Sequence, residues 1–212
     1  MDRKITALKA QKKNPNRVSV FLDGEYAFGL AKIVAAWLQV GQVLDDAKIA
    51  ALKDQDNSEV AFQKALRFLS YRPRSESEIQ KKLSDQGYEA SVIEAVLSKL
   101  RENRLIGDPE FARTWIENRN AFRPRSHRLL AFELRQKGVA EDVIQETLAD
   151  SVDEEELAYQ AAIRYVRRLE SADWETFRQK LSGFLGRRGF SYGTIAPVVR
   201  RVWSETRSEG EA

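Results

Sequence analysis

The sequence contains no cysteine and a single histidine, His127, among its 212 residues. A disulfide scaffold is therefore excluded, and so are zinc sites built from cysteine or from paired histidines. No apolar run approaches the ~20 residues that a membrane-spanning helix needs. With 5 prolines and 11 glycines the chain is also far from a collagen-like composition. These absences predict a packed, reduced, soluble protein, which we expect to be monomeric and cytoplasmic, away from any membrane.

The charge of the chain is unevenly distributed. It has 35 basic and 32 acidic residues, so the net charge of +3 only mildly favours an anionic partner. Residues 178–201 nevertheless contain six basic residues and no acid, whereas residues 145–163 contain six acids and no base. Such blocks indicate polar surfaces, which are either solvated helix faces or surfaces that meet a partner of opposite charge.

The first 57 residues predict a small β element followed by short helices. Residues 18–22 and 26–30 are β-branched and aromatic runs separated by Asp23-Gly24-Glu25, a strong hairpin signal, and residues 5–11 alternate like a third strand. Residues 34–40 and 47–53 read as short helices. The polar residues 54–57 then read as a linker, with Ser58 as the N-cap of the next helix.

From Ser58 onward the sequence is dominated by residues typical of helix starts and helix ends. Ser75 stands three residues before Glu78, which is the spacing of a capping box, and Asp108-Pro109 reads as an N-cap followed by a first-turn proline. Gly87 follows a helical stretch, where glycine readily takes the left-handed conformation that ends a helix. The pattern predicts a mainly α protein.

The helical part repeats itself with a period of 51 residues. Arg72-Pro73-Arg74-Ser75 recurs as Arg123-Pro124-Arg125-Ser126. Five further positions recur in three copies: Ile79, Leu130 and Leu181; Leu83, Leu134 and Leu185; Gly87, Gly138 and Gly189; Ile93, Ile144 and Ile195; Leu97, Leu148 and Val199. We therefore predict three tandem three-helix repeats in an elongated array, because stacked units cover one another's apolar faces. The predicted domains are the β-hairpin and short-helix element at 1–57, repeats at 58–107, 108–152 and 153–206, and a disordered tail at 207–212.

Four stretches of the sequence resemble the RecX family of recombination regulators. They are residues 65–76 (ALRFLSYRPRSE), 105–112 (LIGDPEFA) with Trp115 and Arg119, 133–139 (ELRQKGV) and 180–190 (KLSGFLGRRGF). The resemblance covers nearly the whole chain, and the hairpin near the N-terminus is similar to the extension that many members carry. It implies binding to the RecA recombinase filament and restraint of its ATPase, strand-exchange and coprotease activities. No short family motif fixes the contact residues.

The sequence gives no support for an enzyme, a metal site or a cofactor. His127 lies in a basic stretch at a predicted helix start, which favours a surface or capping role over general-base catalysis. The glycine-rich stretch 183–189 lacks the Lys-Ser/Thr ending of a phosphate loop and aligns with the helix-ending glycines. The acids at 153–156 occupy consecutive helical positions that point in different directions, so they suit a helix N-terminus and not one ion. The four tryptophans are widely spaced and predict packing: Trp37, Trp115, Trp174 and Trp203.

Arginines that recur near predicted helix ends are the candidate partner-binding residues. They are Arg72, Arg74, Arg123, Arg125, Arg187, Arg188, Arg200 and Arg201. Guanidinium groups bind carboxylates or phosphates bidentately, so these residues suit acidic patches of the recombinase, the nucleic acid within its filament, or both. For Arg72 and Arg123 a local capping role is an equal alternative. The last four have no acid nearby in sequence, which favours an intermolecular role. The alternative function is a helical module that binds DNA alone; weak contact with single-stranded DNA is compatible with both.

Overall fold

The computed structural model describes residues 2–208. The elements within that range are, in chain order, β1 (Arg3–Gln11), β2 (Asn14–Leu22), β3 (Glu25–Ala31), α1 (Lys32–Ala35), β4 (Val43–Leu44), α2 (Asp46–Leu69), α3 (Glu76–Ser84), α4 (Ala90–Glu102), α5 (Asp108–Phe122), α6 (His127–Gln136), α7 (Glu141–Ala149), α8 (Glu154–Val166), α9 (Trp174–Arg187) and α10 (Tyr192–Ser208). The protein is therefore mainly α with a small N-terminal sheet, as predicted.

The chain forms two compact units. One contains the chain up to Arg74 together with Ile79–Leu105, and the other contains Ser75–Glu78 together with the chain from Ile106. The first turn of α3 thus belongs by its contacts to the second unit. The elongated arrangement of the three repeats stays a prediction from the sequence period.

The N-terminal sheet is antiparallel and has the strand order β3-β2-β1-β4. Val20 in β2 pairs with Leu8 on one side and with Phe28 on the other. Asp23 and Gly24 both have positive φ, which is the conformation that a two-residue hairpin between twisted strands requires. The predicted hairpin is confirmed, and two further strands extend it.

The segment after β3 differs from the prediction of a helix over 34–40. Helix α1 ends at Ala35, because the following chain turns to place β4 beside β1. Gly41 takes φ +97 there and its N–H donates to the carbonyl of Ile5 at 2.8 Å, while the amide of Ile5 donates to Gln42. Trp37 lies in this turn and is 89% exposed, so the prediction that it packs is wrong.

Helix α2 replaces the predicted short helix, linker and N-cap with one helix of 24 residues. It begins after Asp45, whose carboxylate accepts from the amide of Lys48, and it passes through residues 54–58 without a break. Asp56 explains the continuity, because its carboxylate accepts from the amide of Ala31 and from the guanidinium of Arg17. Polar residues in this stretch are thus sheet contacts and solvated positions within the helix.

The 51-residue period corresponds to equivalent buried positions in all three repeats. One recurring position lies in the middle helix of each repeat and is fully buried in every copy: Ile79, Leu130 and Leu181. The isoleucine of each third helix and the residue one turn after it are buried as well: Ile93, Ile144, Ile195, Leu97, Leu148 and Val199. Each repeat therefore builds its core from the same positions, which confirms the predicted three-helix repeats.

The predicted caps within the three repeats are confirmed in part. Ser75 and Glu78 form the capping box, and Gly87, Gly138 and Gly189 all have φ between +77 and +90. Asp108, however, is the first residue of α5 and not its N-cap, and its carboxylate accepts from the amide of Glu76. Helix α10 continues to Ser208, so the predicted tail at 207–212 begins inside a helix; residues 209–212 lie outside the described residues.

Consecutive repeats meet at one recurring contact within the second unit. The hydroxyl of Ser75 donates to the carbonyl of Lys137 at 2.5 Å, and Lys137 forms an ion pair with Glu78. One period later, the amide of Ser126 donates to the carbonyl of Arg188 at 3.1 Å. The N-terminal turn of one middle helix therefore lies against the C-terminal turn of the next. This contact places arginines from the third repeat beside the Arg123-Pro124-Arg125 turn of the second.

Candidate anion-binding site

Five arginines surround the turn between α5 and α6 in the second unit. Arg119, Arg123 and Arg125 come from the second repeat, and Arg164 and Arg188 come from the third. We call these five residues the arginine cluster. Three of them are among the predicted residues, and the repeat contact at Ser126 is what joins the two groups.

Glu133 on α6 fixes the two arginines of the cluster that flank the turn. Its carboxylate accepts from Nε of Arg119 at 2.9 Å and forms an ion pair with Arg125. The indole N–H of Trp115 donates to the same carboxylate at 2.9 Å. Because Glu133 is largely buried, these charge-assisted contacts hold the two guanidinium groups in place.

The third repeat contributes its arginines through main-chain carbonyls. Arg164 donates to the carbonyl of Ala121 at 2.8 Å, and Arg188 donates to the carbonyl of Pro124 at 3.0 Å. The guanidinium of Arg188 also lies over the ring of Phe184, with 4.5 Å to the ring centroid. Carbonyl groups and an aromatic ring orient these side chains without cancelling their charge.

The cluster has more positive charge than its contacts neutralise. Burial, followed by the charges of Arg125, Arg123 and Arg164, lowers the pKa of Arg188. Burial and the charges of Arg119 and Arg123 likewise lower the pKa of Arg125. Among the described residues, Glu133 is the one carboxylate that forms ion pairs with the cluster. An anion bound here would relieve the repulsion, because it is attracted to all five guanidinium groups.

Arg123 is an exposed member of the cluster. Its side chain is exposed and makes no hydrogen bond or ion pair with another described residue. Its backbone N–H does cap α5 by donating to the carbonyl of Arg119 at 2.7 Å, so the predicted capping role holds for the main chain and leaves the guanidinium group available. The preceding Phe122 is 77% exposed. Tyr71 stands 51 residues earlier before Arg72 and is 69% exposed, so both turns present an aromatic ring followed by an arginine. Aromatic and arginine side chains of this kind dominate many protein interfaces.

The other predicted arginines lie outside the arginine cluster. Arg72 donates to the carbonyl of Pro73, and Arg74 lies over the ring of Phe68 in the first unit. Arg187 is exposed at the end of α9, and Arg200 is exposed on α10.

The expectation that Arg201 has no acidic neighbour is wrong. Arg201 pairs with Glu205 one helical turn later at 3.0 Å and lies over the ring of Tyr159. A residue four positions ahead on the same helix is a neighbour, and this pair follows that spacing.

Sequence reasoning missed Arg119 and Arg164 as members of the cluster. Arg119 had a usable signal, because it lies one helical turn before Arg123 on α5. Arg164 had none, since its contact with Ala121 joins residues 43 positions apart. Tertiary packing of the third repeat alone brings it to the turn.

The remaining chemistry of the second unit is structural. Nε2 of His127 lies 3.0 Å from the carbonyl of Val152 and 3.1 Å from the hydroxyl of Ser151, at the start of α6. Asp153 caps α8 by accepting from the amides of Glu155 and Glu156, in line with the predicted role of that acidic run. Across residues 2–208, no three acidic or histidine side chains are grouped to hold a metal ion. No helix in that range is long and apolar enough to cross a membrane.

Models of four protein domains match the chain in order. They are the regulatory protein RecX N-terminal domain at residues 3–45 and the first, second and third RecX three-helix domains at residues 61–100, 108–148 and 153–199. The chain belongs to the RecX family.

Individual RecX relatives agree over nearly the full length. The regulatory protein RecX of Bacillus velezensis is 32% identical over 213 residues, which cover 98% of this chain and 80% of the relative. That of Listeria monocytogenes serotype 4b (strain CLIP80459) is 33% identical, with 99% and 79% covered. Family membership therefore supports a regulatory role for this protein rather than an enzymatic one.

Two solved RecX structures are similar to the fold. A crystal structure of regulatory protein RecX aligns with a TM-score of 0.72 and 32% identity, covering 91% of this chain and 96% of that one. A crystal structure of RecX from Lactobacillus salivarius aligns with a TM-score of 0.61 and 21% identity, covering 69% and 97%. The second similarity concerns the fold alone.

Proposed function

We propose that this protein binds the RecA recombinase filament and restrains its ATPase, strand-exchange and coprotease activities. It acts in the cytoplasm, as a monomer, in recombination and the repair of damaged DNA, and it catalyses no reaction itself. Membership of a family of regulatory proteins supports the proposal. The observation that carries it is the arginine cluster, since a recombinase filament offers both carboxylates and nucleic-acid phosphates as anionic targets.

The arginine cluster suits a protein surface that carries anions. Arg123 and Phe122 are exposed beside each other in sequence and provide charge and apolar area at one point. The other guanidinium groups are held by Glu133 and by main-chain carbonyls, so little side-chain entropy is lost when they meet a partner. Preorganised charge of this kind favours fast and specific association.

Restraint of the filament follows from contact with more than one recombinase subunit. Tandem repeats offer several contact points on one chain, and linked contacts bind more tightly than separate ones. A regulator that prefers one relative arrangement of neighbouring subunits shifts the population toward it. Steps of the ATPase and strand-exchange cycles that require the subunits to move are then suppressed.

Parallel co-sedimentation tests this proposal. The purified protein is spun with RecA filaments on single-stranded DNA and, separately, with the same DNA alone. We expect retention by the filament and lowered DNA-dependent ATP hydrolysis when the protein is added at up to equimolar ratio. Absence of binding, or metal-dependent turnover by the protein alone, would refute the proposal.

A groove on the third repeat favours a second candidate function, a helical module that acts on nucleic acid alone. The groove has a volume of about 390 Å³ between α9 and α10, and its lining includes Trp174, Tyr192, Arg178 and Arg200 together with one acid, Glu175. Tyr192 is 81% exposed, and Trp174 is 38% exposed with its other side packed on Phe177 and Trp203. Aromatic rings beside arginines suit stacked bases and phosphates.

Salt dependence separates the two candidates. Binding to DNA alone weakens log-linearly with salt, with a slope of roughly 0.7 per phosphate contact for a single strand. Binding to the filament, which includes apolar contact at Phe122, is expected to fall less steeply. Equal affinity and equal slope for the naked strand and for the filament would favour the nucleic-acid module.

A further inference from the structure

A cavity in the first unit has no role in the function proposed above. It has a volume of about 820 Å³ and lies where the ends of β2 and β3 meet α1 and α2. Most of the surface that its lining exposes is apolar, with contributions from Ile33, Ala36 and Val60, although polar and charged residues are the more numerous in the lining. Ile33 is 64% exposed at this site. The volume is within the range of about 300–1,000 Å³ that is usual for binding sites.

Basic side chains contributed by separate elements line the cavity. Arg17 comes from β2, Lys32 from α1, and Lys64 and Arg67 from α2. Arg17 is paired with Asp56 at 2.8 Å. Lys64 lies over the ring of Tyr88, and Lys32 and Arg67 make no hydrogen bond or ion pair with another described residue. Three cations at the cavity therefore lack an acidic partner within residues 2–208.

The acid that lines the cavity does not reverse this charge. Glu59 is 8% exposed, and its carboxylate accepts from Lys99 at 3.0 Å and from the side-chain amide of Gln63 at 2.9 Å. Lys99 in turn lies over the ring of Phe62. Glu59 is thus neutralised by a cation outside the cavity lining, and the lining keeps a net positive charge.

We propose that this cavity is the docking site for an acidic segment of a protein partner. The segment inserts an apolar side chain against Ile33 and Val60, and its flanking carboxylates meet Lys32, Lys64 and Arg67. An extended peptide suits this site better than a small anion, because it can meet both the apolar residues and the cations that two helices contribute to the lining. The cavity shares no residue with the arginine cluster. The inference therefore does not depend on the proposed binding to the RecA filament.

Titration with short synthetic peptides tests the inference on the full-length protein. The probe is an acetylated, amidated peptide with one phenylalanine flanked by glutamates. Two control peptides replace the phenylalanine by serine or the glutamates by lysines. Binding is followed through backbone amide chemical shifts. We expect shifts at the cavity residues with the probe, and at least about a ten-fold weaker response with either control, because both the apolar and the ionic contact are needed.

Variants of the protein complete the test. Lys32→Glu with Arg67→Glu and, separately, Ile33→Asp alter exposed positions of the cavity, so the fold should persist; far-ultraviolet circular dichroism checks this. Lys81→Glu with Arg113→Glu makes the same charge change at exposed positions elsewhere. The inference predicts that the cavity variants lose the probe and that the matched control keeps it.

Three outcomes would overturn the inference. One is a cavity variant that binds the probe as the unchanged protein does. Another is a serine peptide that binds equally well, since the contact would then be charge alone. For the third, naphthalene sulfonate is titrated in the same way as a small apolar anion. If it binds in the cavity and no peptide does, the cavity is a site for small organic anions.

Discussion

The amide of Ser126 donates a hydrogen bond to the carbonyl of Arg188, and Gly189 follows with φ +90 directly against the Ser126 side chain. One period earlier, Ser75 bonds to Lys137, and Gly138 lies against Ser77. The glycine that ends each of these helices thus permits both a left-handed turn and a close approach to the preceding repeat. The contact of Arg188 and Gly189 with Ser126 therefore accounts both for the packing of the second and third repeats and for the position of Arg188 beside the Arg123 turn.

The glycine contact gives a stability prediction. At Gly189 a Cβ would lie 2.5 Å from the Ser126 hydroxyl and 3.1 Å from the Leu129 Cβ. Gly189→Ala therefore carries about 1–2 kcal/mol for the left-handed backbone and roughly 1–3 kcal/mol more for the steric clash. Urea unfolding followed by circular dichroism measures the sum.

Gly87→Ala is the matched control for this substitution. Gly87 has φ +82, but nothing lies within 4 Å of the added Cβ. Gly87→Ala should therefore lower the free energy of unfolding only by the about 1–2 kcal/mol of the left-handed backbone. Equal losses for Gly87→Ala and Gly189→Ala would show that the close approach between repeats contributes nothing to stability.

Asp56 is expected to stabilise the first unit. It joins α2 to the amide of Ala31 and to Arg17, so Asp56→Ala leaves a half-buried N–H without its acceptor and removes the ion pair of Arg17, which keeps its bond to the carbonyl of Gly29. The expected loss is about 1–3 kcal/mol. Asp54→Ala, on an exposed position of the same helix with no contact to another described residue, should change stability by less than about 0.5 kcal/mol. A loss of similar size in both variants would contradict this role of Asp56.

A pH effect is expected at the exposed pair of Arg135 and Glu141. Hydrogen bonds from Arg135 and then from Gln145 lower the pKa of Glu141 from 4.5 to about 2. Because the folded-state pKa is depressed, this contribution to stability is present above pH 4.5 and is lost as the pH falls toward 2. Carboxyl-carbon NMR titration should find the low pKa, and Arg135→Ala should raise it. An unchanged titration midpoint in Arg135→Ala would contradict the ion pair.

The period and the caps were predictable because they are local. The residue types at Ile79, Gly87 and Ile93 recur at fixed spacing, and backbone sterics make glycine the natural choice at a left-handed position. The predicted linker over 54–57 failed for the opposite reason. Its polarity is explained by Asp56, whose partners Ala31 and Arg17 are distant in sequence.

The candidate site was predictable only in part. Recurrence singled out Arg123, Arg125 and Arg188, but their gathering depends on the contact between repeats. Arg164 reaches the cluster from α8 across 43 residues, and no periodicity carries that information. The same limit explains Trp37, since a tryptophan in a turn is indistinguishable in sequence from one in a core.

The structure separates two arginines that the sequence treated as equivalent parts of the partner-binding set. Arg188 is half-buried and donates to the carbonyl of Pro124, so Arg188→Glu would place a carboxylate against that carbonyl and cost about 1–3 kcal/mol of stability. Arg123 is exposed without such a contact, so Arg123→Glu should fold normally, with a change of less than about 1 kcal/mol. Arg123→Glu is therefore the cleaner test of binding.

Reversing the charge of Arg123 should weaken binding to the RecA filament. A carboxylate at position 123 can pair with the neighbouring guanidinium groups and repels an anionic partner, so we expect roughly ten-fold lower affinity at low salt and a smaller difference at high salt. Co-sedimentation at two salt concentrations measures both. Arg113→Glu, exposed on α5 but outside the cluster, is the control and should bind like the unchanged protein. If Arg123→Glu folds normally and keeps both its affinity and its salt dependence, the arginine cluster is a solvated surface and another face of the protein meets the filament.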